Sequence, residues 1–275
     1  MILMRFPEGR EKAVTFSYDD GVLTDERLVN LLVSHNLAGT FNINGGMFAP
    51  EGSIPASETS RMTASKAVEV FSKPKIEVAC HGYSHPFLES LDNVTCTREV
   101  LDDRKVLEKT FGKMIRGMAY PFGTYNEKVV NILRNCGIAY SRTTKATLGF
   151  GLPEEPLVLD PTCHHNELKL FELLDRFLNE KIRWRPTMFY LWGHSFEFPR
   201  DNNWDRIEKF CDLAAGKEDV IWYATNIEII DYLNAYRSLI FSADGTTVEN
   251  KTTTTVWIKK DGDLFKIEQG VKILK

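Results

Sequence analysis

The chain has 275 residues, of which 43% are apolar and 26% charged, with a net charge of −4. That length can bury a large core, and the composition excludes an intrinsically disordered chain. The mild acidity gives no reason to expect nucleic acid or an anionic membrane as a partner, and no apolar run approaches the ~20 residues that span a bilayer.

The five cysteines (Cys80, Cys96, Cys136, Cys163, Cys211) are odd in number and lack a Cys-x2-Cys pair. They read as reduced, mostly buried thiols in a reducing compartment. Met1 to Phe6 is too short and too soon charged for a secretory leader, so a cytoplasmic location is the expectation.

Strand and helix signals alternate along the chain. Ala13 to Phe16 reads as a short buried strand ending at Asp19-Asp20-Gly21. Thr24 is the expected cap of a helix over Asp25 to Ser34, with Leu28, Leu31 and Leu32 on one face. Gly39 to Asn44 alternates at strand period. Met47 to Arg61, with Pro50, Gly52 and Pro55, is expected to be a surface excursion near the site. A short helix over Thr63 to Phe71 follows, capped by Thr63 or Ser65, and then a strand over Ile76 to Ala79.

Thr97 to Phe111 is helical and ends at Gly112; Ile115 to Tyr120 is a strand closed by Pro121-Phe122-Gly123. A helix over Asn126 to Asn135 and strands over Ile138 to Arg142 and Leu157 to Asp160 come next. Glu167 to Lys181 carries Leu170, Leu173, Leu174, Phe177 and Leu178 on one helical face. Met188 to Trp192 is a strand leading to His194, followed by a helix (Trp204 to Ala215), a strand (Val220 to Ala224) and a closing helix (Ile227 to Leu239). About eight strands alternating with helices predict a mainly parallel sheet curled into an α/β barrel. Beyond Ile240, Asp-Gly turns between short apolar runs suggest a small β unit packed on the barrel. The predicted division is therefore 1–239 and 240–275. Trp257 and Phe265 in the tail suit a carbohydrate contact, but a stabilising edge is the preferred reading.

Two strand ends carry the chemistry. Cys80-His81-Gly82-Tyr83-Ser84-His85-Pro86 places two imidazoles four apart at a strand exit, where both can turn toward one divalent transition metal. Two loop histidines bonded to backbone or water are the plainer alternative. Asp19 and Asp20 are adjacent acids whose mutual repulsion a cation would relieve. One can bind metal while the other stays free as a base; a solvated Asp-Asp-Gly turn is the plainer alternative.

Together with Leu191-Trp192-Gly193-His194, these motifs resemble, in order, those of the polysaccharide deacetylase family of metal-dependent carbohydrate esterases. The resemblance runs over roughly residues 10 to 235. It implies a distorted (β/α) barrel of about seven parallel strands, which we take over our own count. It also implies that Asp20, His81 and His85 bind the metal, Asp19 is the general base and His194 the general acid. The main-chain N–H of Phe122, in Pro121-Phe122-Gly123, is then a donor to the oxyanion. The implied cofactor is a divalent transition metal, Zn²⁺ first, with Co²⁺, Ni²⁺ or Mn²⁺ as alternatives. The implied substrate is an acetylated carbohydrate, N- or O-linked. A non-sugar amide, or a non-catalytic carbohydrate-binding barrel, are the competing readings.

The chain departs from the family where an arginine usually orients the base, because Ala119 stands there in Met118-Ala119-Tyr120-Pro121. Arg142, at the end of the next strand, is the predicted replacement, gripping Asp19 with two parallel hydrogen bonds. Arg116 is the weaker alternative. Asp160, Cys163, His164 and His165 follow another strand end and are expected near the groove, His164 first. His35 is expected to be structural. Trp192, Phe196, Phe198 and Trp204 are expected around His194, either stacking on a sugar or walling the acid.

Overall fold

The computed structural model describes residues 1–182 and 184–274. Its strands and helices run β1 (Ile2–Arg5), β2 (Lys12–Asp19), α1 (Asp25–Ser34), β3 (Gly39–Ile43), α2 (Ala64–Phe71), β4 (Ile76–Cys80), α3 (Asn93–Phe111), β5 (Gly117–Ala119), α4 (Glu127–Asn135) and β6 (Tyr140–Arg142). They continue β7 (Cys163–His164), α5 (Leu170–Asn179), β8 (Thr187–Gly193), α6 (Glu197–Asp201), α7 (Trp204–Ala214), β9 (Ile221–Tyr223), α8 (Asn226–Arg237), β10 (Ile240–Phe241), β11 (Thr247–Asn250), β12 (Val256–Lys260), β13 (Asp263–Ile267) and β14 (Gly270–Ile273).

Seven parallel strands follow one path, β6-β5-β4-β3-β2-β8-β7. β2 is its pivot. It pairs with β8 from Lys12 to Tyr18, while β9 pairs with its first residues and β3 with its last. The gap between β6 and β7 is bridged by the segment before β7. Leu159 bonds Ser141 and Thr143 on one side, and the Thr162 N–H donates to Tyr190 on the other. The sheet is thus the predicted curled barrel. The strand expected at Leu157 to Asp160 forms only a bridge at Leu159 and pairs regularly two turns of pleat later, at Cys163–His164.

Every residue of β2 is buried, and alternation decides which layer each one joins. Val14, Phe16 and Tyr18 pack outward into the core beneath the helices, with Phe41, Val78 and Phe189. The intervening residues line a polar barrel interior. Thr15 donates to Asn226, Asn42 donates to Ser17, and Thr40 and Tyr140 donate to the buried Glu77 at 2.8 and 2.7 Å. Burial pushes the Glu77 carboxyl up to about 7. At the top of this polar column sit Asp19 and Arg142.

Local chemistry sets the starts of α2 and α4 but not that of α1. Thr63 caps α2 and Asn126 caps α4, each accepting an N–H three residues on. Thr24 does not cap α1; its hydroxyl lies 2.6 Å from that of Ser195. The Asp25 carboxyl group accepts the Val22 N–H instead.

The tail folds into short antiparallel sheets, β10-β11-β14 and β1-β12-β13. The second recruits the first strand of the chain, Ile2–Arg5. Val256, Ile258 and Ile267 pack with Met4, Tyr232 and Leu233, so this unit shares a core with α8. All five cysteines are buried and free. Among the described residues, no helix is long and apolar enough to cross a membrane.

Candidate active site

At the C-terminal ends of β2 and β4, Asp20, His81 and His85 each bring one donor atom within 4.8 Å of the others. The two imidazole Nε2 atoms are 3.2 Å apart. Both Asp20 and His85 hold their side chains there from left-handed backbone, φ +89° and +59°. Such conformations cost a non-glycine residue about 1–3 kcal/mol and persist where surrounding contacts impose them.

The tautomer of His81 is fixed by its neighbour. Its Nδ1–H donates to the Ala119 carbonyl at 2.9 Å, so Nε2 presents a lone pair toward Asp20 and His85. Burial lowers the His81 pKa to about 4, against the pull of Asp19 and Asp20, so the ring is neutral at ordinary pH. Asp103 of α3 braces the turn, accepting the His81 and Gly45 N–H groups at 2.9 and 2.6 Å.

Asp19 is held apart from this group. Arg142 Nη2 donates to its Oδ2 and Asn42 Nδ2 to its Oδ1, the latter at 2.8 Å. Burial alone would raise the carboxyl, but Arg142, His81 and His194 outweigh it and hold the pKa down at about 2. Arg142 and Ala119 are register partners across β5 and β6, which is why an arginine on the neighbouring strand reaches the same place. The predicted fork is not formed: only one guanidinium nitrogen bonds Asp19, because Asn42 occupies the second oxygen. The guanidinium instead stacks over Trp192 at 4.4 Å, and Nη1 donates to Thr143.

His194, at the end of β8, faces the same carboxylate, with Nε2 3.7 Å from Asp19 Oδ2. Its Nδ1 lies 3.5 Å from Glu197 Oε2, an electrostatic contact rather than a formed hydrogen bond. Burial works against the imidazolium, yet Glu197, Asp19 and Asp20 prevail and raise its pKa.

Glu197 also meets His164 and His165, at 3.0 and 3.2 Å. Those three residues are a second group with metal-ligand spacing. Here the tautomer argues the other way. His164 Nδ1 accepts the Asn166 N–H, so a neutral ring carries its proton on Nε2, the nitrogen that faces Glu197. The group is a carboxylate-centred hub of imidazoles. His165 is stacked between Tyr18 and Phe198, and Gly193 leaves room for it: a Cβ there would lie 2.1 Å from His165 Nδ1.

Phe122 stands beside the first group at φ +58°, its ring 4.5 Å from His85 and stacked on Phe87 at 3.9 Å. Both phenylalanines are about half exposed, 50% and 47%. Of the expected aromatic wall, Trp192 and Phe198 are buried, Phe196 touches His194 and Trp204 packs on Phe198. Arg116 pairs with Asp231, and Asp160 with Thr143 and Lys145. His35 closes α1 against Asp212.

Arg61, Asn42 and Glu197 were missed in the sequence. The excursion before α2 delivers Arg61 to Asp20 at 2.8 Å. Behind His194, Ser195 donates to Asp25 Oδ1 at 2.5 Å. Burial pushes the Asp25 carboxyl up from 3.8 to about 8. The folded state therefore holds this proton more tightly than the unfolded chain. Its contribution to stability is full below about pH 4 and is lost as pH rises toward 8. Asp25→Asn is expected to flatten that decline in urea-unfolding stability between pH 5 and 8; an unchanged slope would show that Asp25 is not its source.

The profile of the polysaccharide deacetylase family matches residues 7–141. Among solved structures, a Mycobacterium smegmatis protein assigned as a polysaccharide deacetylase is similar over 86% of this chain and 94% of its own, at 18% identity and TM-score 0.58. A CE4-family pseudoenzyme of Bacillus anthracis is similar over 83% of this chain and 68% of its own, at 15% identity and TM-score 0.51. A Streptococcus pyogenes deacetylase in complex with acetate matches 52% of this chain, at 20% identity and TM-score 0.46; this chain covers 61% of its length. No curated protein matches the sequence. The matched segment runs from β2 into β6 and carries the sequence pattern of the polysaccharide deacetylase family, and the curled barrel around it is the fold of the solved structures it is similar to.

Proposed function

We propose that the protein is a metal-dependent deacetylase that hydrolyses an acetyl group, foremost N-acetyl, on a carbohydrate. The observation that carries this reading is the convergence of Asp20, His85 and a neutral His81 that presents a lone pair, beside an ionised Asp19. That donor set, two imidazoles and one carboxylate, suits a divalent transition metal, Zn²⁺ first. Such an ion, when bound, polarises an acyl carbonyl and makes a water molecule acidic enough for a weak base.

Asp19 is that base. A pKa near 2 makes it a weak one, but it is ionised throughout the neutral range. Arg142 and Asn42 hold one oxygen each, so the carboxylate cannot rotate away from the water it deprotonates. His194, its pKa raised and its Nε2 turned toward Asp19, supplies a proton to the departing nitrogen. Phe122, in its left-handed turn, offers a main-chain N–H to the developing oxyanion, and such donors are fixed before reaction begins. The exposed Phe87–Phe122 pair gives a sugar ring an apolar surface beside this centre.

The test is acetate release from a panel of N- and O-acetylated oligosaccharides and small amides, with chelator and with added Zn²⁺ or Co²⁺. Metal-dependent release from the sugars is expected. A His81→Ala, His85→Ala double variant should be purified nearly metal-free by elemental analysis. Equal metal in the double variant and the parent would end the ligand assignment, and release confined to the amides would end the substrate assignment.

A further inference from the structure

We infer that Arg61 is a positioning residue for the metal ligands, tying Asp20 to the turn that carries His81; this rests on the metal reading above. Its backbone is fastened to the aspartate motif on both sides. The Met62 N–H donates to Gly21, the Leu23 N–H donates to Ser60, and Arg61 forms a bridge with Val22. The side chain then reaches two acceptors from one guanidinium. Nη2 donates to Asp20 Oδ1 at 2.8 Å and Nη1 to Asn44 Oδ1 at 3.0 Å.

Asn44 is buried and passes the connection on. Its Nδ2 donates to the His81 and Gly82 carbonyls at 2.6 and 2.7 Å. A closed chain of hydrogen bonds thus runs from the carboxylate at the end of β2 to the backbone at the end of β4. It crosses between two strand ends that carry ligands and share no direct strand pairing, since β3 lies between them. Asp20 Oδ2 accepts no hydrogen bond from the described residues and is the oxygen left for the ion. Asp20 also sits at φ +89°, a conformation that costs a non-glycine residue energy and persists where surrounding contacts impose it.

Two effects of the guanidinium oppose each other. Its charge repels a divalent cation, whereas its hydrogen bonds fix the ligand's orientation. The geometry favours orientation, because the donor sits on the oxygen away from the open one and Asn44 fixes the other guanidinium nitrogen. Partners of metal ligands typically contribute about 10- to 100-fold in metal affinity. Removing Arg61 therefore weakens binding; were repulsion dominant, removal would tighten it.

The experiment is titration of metal-free protein with Zn²⁺ against a competing chromophoric chelator, for the parent, Arg61→Ala, Arg61→Lys and Arg61→Gln. Thermal melting of each metal-free form is measured in parallel. Arg61→Ala should bind Zn²⁺ about 10- to 100-fold more weakly, with Arg61→Lys recovering part of the loss. If Arg61→Ala does not fold, Arg61→Gln, which keeps a donor without the charge, carries the comparison and should also bind more weakly. Unchanged or tighter binding in a folded variant overturns the inference. A parent protein that binds no Zn²⁺ removes the metal reading itself, and this inference with it.

Discussion

Asp19→Asn is expected to bind metal like the parent and to lose turnover by about 10²- to 10⁴-fold, the usual contribution of a general base. The amide keeps the carboxylate's shape and can still accept from Asn42, but it cannot take a proton. It also leaves the Arg142 guanidinium buried without its anion, and breaking a buried pair costs about 3–5 kcal/mol. The comparison therefore needs temperatures below the variant's melting transition. Asp20→Asn should behave in the opposite way, with weakened metal binding and turnover that recovers as metal is raised. An Asp19→Asn protein that loses its metal, beside an active Asp20→Asn, would reverse the two roles.

Arg142→Ala should cut turnover by about 10²-fold, the scale on which misplacement of a reacting group by an ångström is felt. Metal content should stay at the parent's level. The variant should also be less stable to urea by about 3–5 kcal/mol, because Arg142 and Asp19 are 0% and 3% exposed and neither charge can reach water. Arg142→Lys should restore activity in part. An ammonium can reach Asp19, but it cannot donate to Thr143 while lying flat against Trp192. A fully active Arg142→Ala protein would leave Asp19 oriented by Asn42 alone and remove Arg142 from the mechanism.

The residues that could be read in the sequence were those fixed by short-range pattern. Asp19 ends a strand, Asp20, His81 and His194 directly follow one, and His85 lies a short turn beyond His81; a strand end aims its side chains predictably. Arg142 could be inferred because Ala119 stands where the family has an arginine and Arg142 ends the neighbouring strand, with Arg116 as the weaker alternative. Its fork could not be excluded beforehand, since nothing local to Arg142 reveals that Asn42 claims the second oxygen. Arg61 and Glu197 have no sequence signature at all. One arrives at the end of an irregular excursion, and the other opens a five-residue helix, meeting histidines more than 30 positions earlier. Thr24 shows the opposite failure. Its local preference for capping was real, but a hydroxyl 171 residues away offered a better partner.

The position of β2 also sets an order of assembly. The pairings of β2 with β3 and of β3 with β4 are close in the chain, and Asp20, His81 and His85 follow these strands, all before residue 86. The remaining pairings of β2 wait for β8 and β9, more than 170 residues later, and β1 waits longer still for β12. On the ribosome, the residues that would grip an ion emerge well before Arg142 and His194, the residues that would orient the base and supply the proton. A nascent chain would display the proposed ligands before the rest of the proposed machinery has been made, and contacts this distant in sequence are the slow ones to form.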